Sequence, residues 1–267
     1  MRYLLRTASP YLLGLTLLTS AMLLFAALSD PSVLHAALQQ GWGNITGQVV
    51  YQGDPLPERK PFPDVKEPAC LEKGQLLSEV WVVDPKTRGV RWTVVFLKPA
   101  KGQILPVHPA LQKPASDFAT IDHPTCAFYP HVVTMRVGQK LLALNPMPIA
   151  HNVVITGFRN NFNIQLPPGG KHVFDLQPET YRPLPVKCGA HPWMSGYLWM
   201  FDHPYFAVTD ETGHFTIKNA PAGTWNLVVW HEAIGYLGGA AGRDGKPIEI
   251  KAGETTDLGK IELKPTQ

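Results

Sequence analysis

Apolar and polar positions follow one another in short runs that are typical of β-strands. The runs from Asn44 to Tyr51, from Glu79 to Val83 and from Val90 to Leu97 are rich in β-branched and aromatic residues. Further runs of this kind lie at residues 131–145, 152–156, 196–202, 205–217, 224–230, 248–250 and 258–263. Pro- and Gly-rich stretches separate them, and past the N-terminal segment no amphipathic helical stretch exceeds a few turns. We therefore expect an all-β fold of the sandwich type.

The N-terminal segment has the pattern of an export signal or a membrane anchor. Arg2 and Arg6 precede the uncharged stretch from Tyr11 to Leu28, and Ser29 follows it. The apolar length lies between that of a signal-peptide core and the shortest membrane span of about 17 residues. Residues 1–29 are therefore interpreted as either a cleaved signal peptide or a retained anchor helix. In both cases we expect the rest of the chain to lie outside the cytoplasm, in the periplasm of a bacterium.

Length and composition agree with a β-rich fold, and the net charge argues against nucleic acid as a partner. A length of 267 residues predicts one or two domains, and 23 glycines with 26 prolines favour many turns and short strands. The net charge is only +3, and no run of five or more basic residues occurs. The chain therefore lacks the basic footprint of a nucleic-acid-binding protein.

One short segment concentrates metal-binding side chains. Cys188-Gly-Ala-His191-Pro-Trp-Met194 offers a thiolate, an imidazole and a thioether, and His151 lies upstream at the start of a predicted strand. Two His nitrogens and a Cys sulfur in a trigonal plane, with a weak axial Met, form a blue-copper site. The same Cys/His₂ set also accepts zinc. We expect these four side chains to hold one metal ion.

Other copper and haem sites are excluded by spacing. A binuclear copper centre needs a second Cys four positions after Cys188, where this chain has Pro192. No His-x-His pair is present for a trinuclear copper cluster, and no Cys-x-x-Cys-His motif for covalent haem. Since four protein donors leave no open position on the metal, we expect that the protein is not an enzyme.

A second stretch, Phe128 to Gly138 followed by Asn145 to Val153, leads along predicted strands to His151. Together with the Cys188-x-x-His191-x-x-Met194 loop, it resembles the cupredoxin family of the plastocyanin and amicyanin type. The resemblance implies a Greek-key cupredoxin β-sandwich over residues 117–203 with one type 1 copper. It also implies that His151, Cys188 and His191 are equatorial ligands and that Met194 is the axial ligand.

One residue departs from this family's pattern. Gly189 replaces the Ser or Thr that often follows the Cys and hydrogen-bonds the Asn beside the first His. In this chain that Asn is Asn152, which we expect to support the ligands from the outer shell. Asn152 is then expected to lack this partner, which would change the redox potential and rigidity of the site.

Cysteines and histidines outside the motif predict structural roles. In an exported protein the two remaining cysteines, Cys70 and Cys126, favour a disulfide that ties an early segment to the copper domain. Four further histidines lack a tight ligand spacing and are interpreted as structural or surface residues: His131, His203, His214 and His231.

The segment from Ala207 to Trp230 carries a second set of turn motifs. A Thr-Asp-x-x-Gly-x-Phe turn is followed there by Pro-x-Gly-x-Trp, which resembles the transthyretin-like, carboxypeptidase-regulatory type of β-sandwich. The run from Ile45 to Val50 resembles the opening strand of that module. We expect residues 42–100 with 204–265 to form one discontinuous sandwich, with the copper domain inserted. The resemblance implies a binding or scaffold module.

These features predict a one-electron carrier outside the cytoplasm, tethered to the membrane if the N-terminal helix is retained. The resemblance places His191 at an apolar edge, where Pro192 and Trp193 are expected to form the docking patch. The expected partner is a redox protein such as a cytochrome, a dehydrogenase or a respiratory complex. Two alternatives stay open: an accessory or scaffold subunit of a membrane-bound redox complex, and a copper storage or delivery protein.

Overall fold

The computed structural model describes residues 41–265, which are almost entirely β-structure, so the predicted all-β fold class is confirmed. The strands are β1 (Trp42–Tyr51), β2 (Val94–Lys98), β3 (Phe118–Asp122), β4 (Val132–Arg136), β5 (Lys140–Leu144), β6 (His151–Thr156), β7 (Asn161–Leu166), β8 (Lys171–Phe174), β9 (Pro183–Lys187), β10 (Ser195–Phe201), β11 (Phe206–Val208), β12 (His214–Pro221), β13 (Gly223–His231), β14 (Gly235–Tyr236), β15 (Lys246–Ile250) and β16 (Thr255–Leu263). A short helix, α1 (Pro68–Leu71), and 3₁₀ turns at Pro109–Leu111 and Gly239–Asp244 complete the described elements. The predicted signal or anchor at residues 1–29 lies outside the described residues. Within residues 41–265, no helix is long and apolar enough to cross a membrane.

Strands β3 to β10 form two sheets that enclose one apolar core. The five-stranded sheet has the order β4-β10-β9-β6-β7, and the three-stranded sheet has the order β3-β5-β8. Alternate side chains of each strand enter this core, as Val153 and Ile155 of β6 do, because successive side chains of a strand point to opposite faces. Cys188 and Met194 belong to the same core, so the strand pattern positions the predicted metal ligands.

The remaining strands form two further sheets around a separate core. One has the order β12-β1-β16, in which β1 is antiparallel to β12 and parallel to β16. The other has the order β11-β2-β13-β14, with β15 added to β13. Ile45, Val49, Leu97, Ile217 and Val229 are among the buried residues between these sheets. In the chain, β3 to β10 lie between β2 and β11, whereas the domain boundaries themselves stay a prediction.

An aromatic layer joins the two groups of sheets. Trp230 of β13 and Phe96 of β2 pack on Trp199 and Phe201 of β10, on the faces that point away from both cores. The ring centroids of Trp199 and Trp230 are 5.2 Å apart in an edge-to-face arrangement, which aromatic pairs favour. This layer adds buried apolar area between the two sandwiches.

The predicted strand from Glu79 to Val83 is wrong. This segment is irregular, and only Val83 forms a single bridge with Val90. The carboxylate of Glu79 pairs with Arg59 and accepts a hydrogen bond from the indole of Trp92 at 2.8 Å. These side-chain contacts hold the segment in place although it has almost no strand partner.

Residues 59–80, which we call the covering segment, lie against the sandwich that carries the predicted ligands. Phe62, Val65 and Ala69 pack on its core, and Pro61 forms a bridge with Leu77. A disulfide between Cys70 and Cys126 joins the covering segment to the loop between β3 and β4. The segment is therefore tied covalently beside the predicted metal site.

Candidate metal centre

The pairing of β6 with β9 places the predicted ligands at one end of the sheet. His151 is the first residue of β6, and Cys188 directly follows β9, which is antiparallel to β6. His191 and Met194 lie in the tight loop from β9 to β10. In this loop the Met194 N–H donates to the His191 carbonyl at 2.9 Å, and the Cys188 N–H donates to the Met194 carbonyl at 3.1 Å. These two backbone hydrogen bonds hold the loop in a tight turn.

Three of the predicted donors meet in a small cluster. The Cys188 Sγ atom lies 3.9 Å from His151 Nδ1 and 3.6 Å from His191 Nδ1. The three donor atoms all lie within 4.8 Å of one another. His151 and Cys188 are buried, whereas His191 is half-buried and thus reaches toward the surface.

The spacing of these donors fits a metal ion. A sulfur and a nitrogen at about 2.3 Å and 2.0 Å from one ion, at a trigonal angle, are about 3.7 Å apart. The two observed sulfur–nitrogen distances lie on either side of this value. A thiolate with two imidazoles is a donor set that copper and zinc both accept. The residues present therefore fit the predicted centre.

Burial keeps both imidazoles neutral near pH 7. Desolvation, together with a smaller effect of the neighbouring His191, lowers the pKa of His151 to about 4. Desolvation also lowers the pKa of His191, against the opposing effect of the Glu67 carboxylate. A neutral imidazole offers a lone pair, so neither ring has to lose a proton to bind a metal ion near neutral pH.

Asn152 contacts the cluster through its backbone N–H, and its side chain forms a hydrogen bond with a residue other than Gly189. Its N–H donates to Cys188 Sγ at 3.3 Å, a type of contact that tunes a metal-bound thiolate. Its side-chain amide donates to Asn163 Oδ1 on β7 at 3.0 Å. Although Gly189 cannot supply a hydroxyl, Asn152 does not lack a side-chain partner.

The predicted docking residues lie beside His191. Pro192 is exposed, Trp193 is half-buried, and the Trp193 ring centroid is 5.1 Å from that of His191. A cavity of about 330 Å³ separates this loop from the covering segment. Its walls include Trp193, Met194 and His131 on one side and residues of the covering segment such as Phe62 on the other.

His123 lies near the cluster, but the sequence does not predict it to be there. His123, directly after β3, is fully buried, and its ring centroid is 5.5 Å from that of His151. Desolvation lowers its pKa to about 3, with a further contribution from His151. An isolated histidine in the sequence has no spacing that marks it as part of a site, so only the pairing of the strands reveals it.

Part of this chain is similar to several solved structures of copper proteins, at low sequence identity. A purple cupredoxin from Nitrosopumilus maritimus is 20% identical, with a TM-score of 0.27. The match covers 31% of this chain and 98% of the cupredoxin chain. Amicyanin from Paracoccus versutus is 17% identical over 40% of this chain and 96% of its own, with a TM-score of 0.29. A Cu-containing nitrite reductase from Thermus scotoductus is 19% identical, with a TM-score of 0.29, over 36% of this chain and 27% of its own.

Two other comparisons concern the amino-acid sequence. The family model for domain II of polysaccharide lyase family 4 matches residues 199–258, which include β11 to β15. No curated protein matches this chain. The solved structures named above are a purple cupredoxin, an amicyanin and a Cu-containing nitrite reductase, while the matched family model covers only residues 199–258.

Proposed function

We propose that the protein carries single electrons between redox partners by means of one type 1 copper. His151, Cys188 and His191 would hold the ion, and Met194 would supply a fourth, weaker donor. When bound, the copper supplies the one-electron redox couple, which a buried thiolate and neutral imidazoles make accessible.

One observation carries the proposal: a buried Cys sulfur lies between two imidazole Nδ1 atoms at distances that a single ion spans. The protein's part is to hold these donors rigidly, so that the geometry changes little between the two oxidation states. The loop hydrogen bonds among Cys188, His191 and Met194 and the amide of Asn152 support that rigidity. Electron transfer needs little reorganisation when the donors are fixed in this way.

The proposed set of four protein donors leaves no open position on the metal, so we propose transfer of electrons rather than catalysis. Electrons would pass at His191, whose ring reaches the surface beside Pro192 and Trp193. An exposed proline next to a half-buried indole is the kind of apolar patch that a transient redox partner contacts. We propose a cytochrome, a dehydrogenase or a respiratory complex as that partner.

The disulfide supports a location outside the cytoplasm. Cys70 and Cys126 are bonded, and such bonds persist in oxidising compartments such as the periplasm. The apolar stretch at residues 11–28, which Arg2 and Arg6 precede, agrees with export. We propose that the protein is periplasmic and that it stays on the cytoplasmic membrane where the N-terminal helix is not cleaved.

For the second sandwich, residues 42–100 with 204–265, we propose a transthyretin-like scaffold. Its predicted turn is held by the carboxylate of Asp210, which accepts hydrogen bonds from the N–H groups of Thr212 and His214 at 2.9 Å each. This Asx-type turn is the structural feature of the motif that the sequence resembles. The alternative function, an accessory subunit of a membrane complex, would use this sandwich as its contact surface.

The visible spectrum of the full-length chain with Cu(II) tests the metal centre. We expect an intense thiolate-to-copper band that is lost in Cys188→Ala, because the sulfur is the source of the charge transfer. Val186→Ala is the matched control, since it removes a side chain from the same core and leaves all four donors in place. A colourless wild-type protein, or a band that survives in Cys188→Ala, would overturn the proposal.

Copper retention and copurification separate the three candidate functions. A carrier keeps its copper through dialysis and exchanges electrons with several small redox proteins. A storage or delivery protein would release Cu(I) to a chelator, and a complex subunit would copurify with other membrane proteins in stoichiometric amounts. The last two results would each contradict the proposal of a carrier.

A further inference from the structure

Three buried ring nitrogens lie behind the candidate metal centre without a hydrogen-bond partner among the described residues. They are Nε2 of His151 and both ring nitrogens, Nδ1 and Nε2, of His123. Both side chains are fully buried. Native proteins rarely leave a buried polar nitrogen without a hydrogen-bond partner, so these groups call for an explanation.

The two rings are close enough to be partners. Their centroids are 5.5 Å apart and their planes are tilted by 48°, a separation that lets nitrogens on facing edges come within hydrogen-bond distance. Phe128 packs edge-on against the His123 ring at 4.9 Å and confines it to this site. The terminal torsion of a His side chain is broad, so a modest ring rotation has a low energy cost.

Metal binding at Nδ1 of His151 would make its Nε2–H the donor of a hydrogen bond between the two rings. In the cluster, Nδ1 of His151 faces Cys188, so Nδ1 is the atom that would bind the ion. A neutral imidazole bound through Nδ1 carries its proton on Nε2, which then needs an acceptor. Metal-bound histidines almost always donate this second N–H to a neighbouring group. Among the described residues, Nε2 of His151 has no carboxylate or carbonyl that accepts it.

We propose that His123 is the positioning partner of His151, accepting a hydrogen bond from the His151 Nε2–H at one of its ring nitrogens. The contact fixes the tautomer and the ring orientation of the first metal ligand. This inference rests on the proposed metal centre and adds a residue that lies outside the ligand motif. It also gives a partner to one of the two buried ring nitrogens of His123.

The backbone around His123 is built to hold the ring in place. Its N–H donates to the Asp122 carboxylate at 2.7 Å, at the end of β3. Three residues later, Cys126 is bonded to Cys70 of the covering segment. The strand end and the disulfide therefore restrain the loop on both sides of the proposed hydrogen bond.

Nuclear magnetic resonance on the wild-type chain is the first test. The full-length protein, labelled with ¹⁵N at histidine, is loaded with Zn²⁺ as a diamagnetic probe of the same donor set. We expect the His151 Nε2–H to be protected from solvent exchange and to show a coupling across the hydrogen bond to a ring nitrogen of His123. A protected proton without that coupling, or a proton that exchanges freely, would overturn the inference.

Variants supply the second test, measured as Zn²⁺ affinity in competition with a chelator. His123→Phe keeps a ring but removes the acceptor, and we expect the affinity to fall about tenfold, as for other outer-shell partners. His123→Gln restores an acceptor and is expected to recover most of the loss. His172→Phe is the control, because His172 lies on β8 and its ring contacts Phe174 rather than the cluster.

The outcomes separate this inference from the proposed function. Wild-type affinity in His123→Phe, or equal losses in His123→Phe and His123→Gln, would overturn the role of His123 while the metal centre stands. If Zn²⁺ binds wild type and Cys188→Ala equally, the metal centre itself is wrong, and the role of His123 falls with it.

Discussion

Two glycines beside the ligands differ in the space that surrounds them. A methyl group at Gly189 would lie 3.8 Å from Cγ of Asn152, an ordinary van der Waals distance. A methyl group at Gly196 would lie 2.6 Å from the carbonyl oxygen of His131, which accepts the N–H of Tyr197. The backbone of β10 can approach β4 this closely only because position 196 has no side chain.

We therefore predict a small effect on stability for a substitution at Gly189 and a large loss of stability for one at Gly196. Gly189→Ser should change the free energy of unfolding by less than about 0.5 kcal/mol and leave metal binding intact. Gly196→Ala should destabilise the chain by about 1–3 kcal/mol, because a backbone atom must shift. Urea denaturation of both variants measures the difference. Equal losses would contradict the described approach of β10 to β4.

A buried histidine outside the ligand cluster makes the free energy of unfolding depend on pH. His231 lies at the end of β13 with its ring stacked on Trp81 at 4.6 Å, and its Nδ1 accepts the Ala233 N–H. Burial lowers its pKa to about 4, with Glu232 acting against this shift and His131 adding to it. In the unfolded chain a histidine has a pKa near 6.5, so the unfolded state binds a proton first as the pH falls.

The free energy of unfolding should accordingly decrease as the pH falls from about 6.5 to about 4. The decrease is up to about 1.4 kcal/mol per pH unit for this proton. His231→Phe removes the titrating group and should make the pH dependence shallower in that window. Urea titrations at several pH values measure both slopes. A variant with the same slope as wild type would show that His231 does not titrate on unfolding.

The sequence predicts a common site for three side chains that the structure brings together, His151, Cys188 and His191, but it does not predict their surroundings. Three donors within seven residues, with His151 upstream, form a spacing that a sequence displays directly. Asn163 and His123 carry no such signal, because their proximity depends on strand register. Asn163 is opposite Val154 in the β6–β7 pairing and thus diagonal to Asn152, a neighbour that only the register defines.

The elements follow the β-branched runs wherever a partner strand is available. The runs that became β1, β2, β6 and β13 each pair with a neighbour over several residues. The run at residues 79–83 has similar composition but forms only one bridge. Its contacts are mainly between side chains: Glu79 bonds to Arg59 and Trp92, and the Trp81 ring packs on Tyr51 and His231. Strand propensity describes a side chain that fits a sheet surface and does not supply the partner strand.

The covering segment depends on its covalent tie more than on strand pairing. The disulfide between Cys70 and Cys126 closes a loop with a sequence separation of 56 residues. Replacing both cysteines by serine should lower the free energy of unfolding by about 4 kcal/mol, from the loop-closure entropy of the unfolded chain. Thermal denaturation with and without reductant measures this value. A double variant as stable as wild type, or a wild type insensitive to reductant, would contradict it.

At the scale of the whole molecule, a buried polar contact reinforces the aromatic layer between the two sandwiches. His131, before β4, bonds through Nε2 to the carboxylate of Glu232, which follows β13, and both side chains are nearly inaccessible to solvent. His131 also lines the cavity beside Trp193 and Met194. Through this pair, the second sandwich thus contacts a residue that lines the cavity beside the loop of the candidate metal centre.

Breaking this pair should weaken the whole molecule. Glu232→Leu leaves the His131 ring buried without its acceptor and should lower the free energy of unfolding by about 3 kcal/mol. Glu232→Gln keeps an acceptor oxygen and should lower it by less. Glu254→Gln, at an exposed carboxylate, is the control. Equal stability of Glu232→Leu and the control would show that the pair does not join the sandwiches.

A redox titration of the copper-loaded full-length chain, followed at the thiolate-to-copper band, tests most directly whether the protein carries single electrons. We predict one reversible transition with a slope of about 59 mV per decade, the value for a single electron. The transition should be absent in Cys188→Ala, which lacks the sulfur ligand. Copper that stays bound through Cys188 but is not reversibly reduced and reoxidised would contradict the proposed electron carrier.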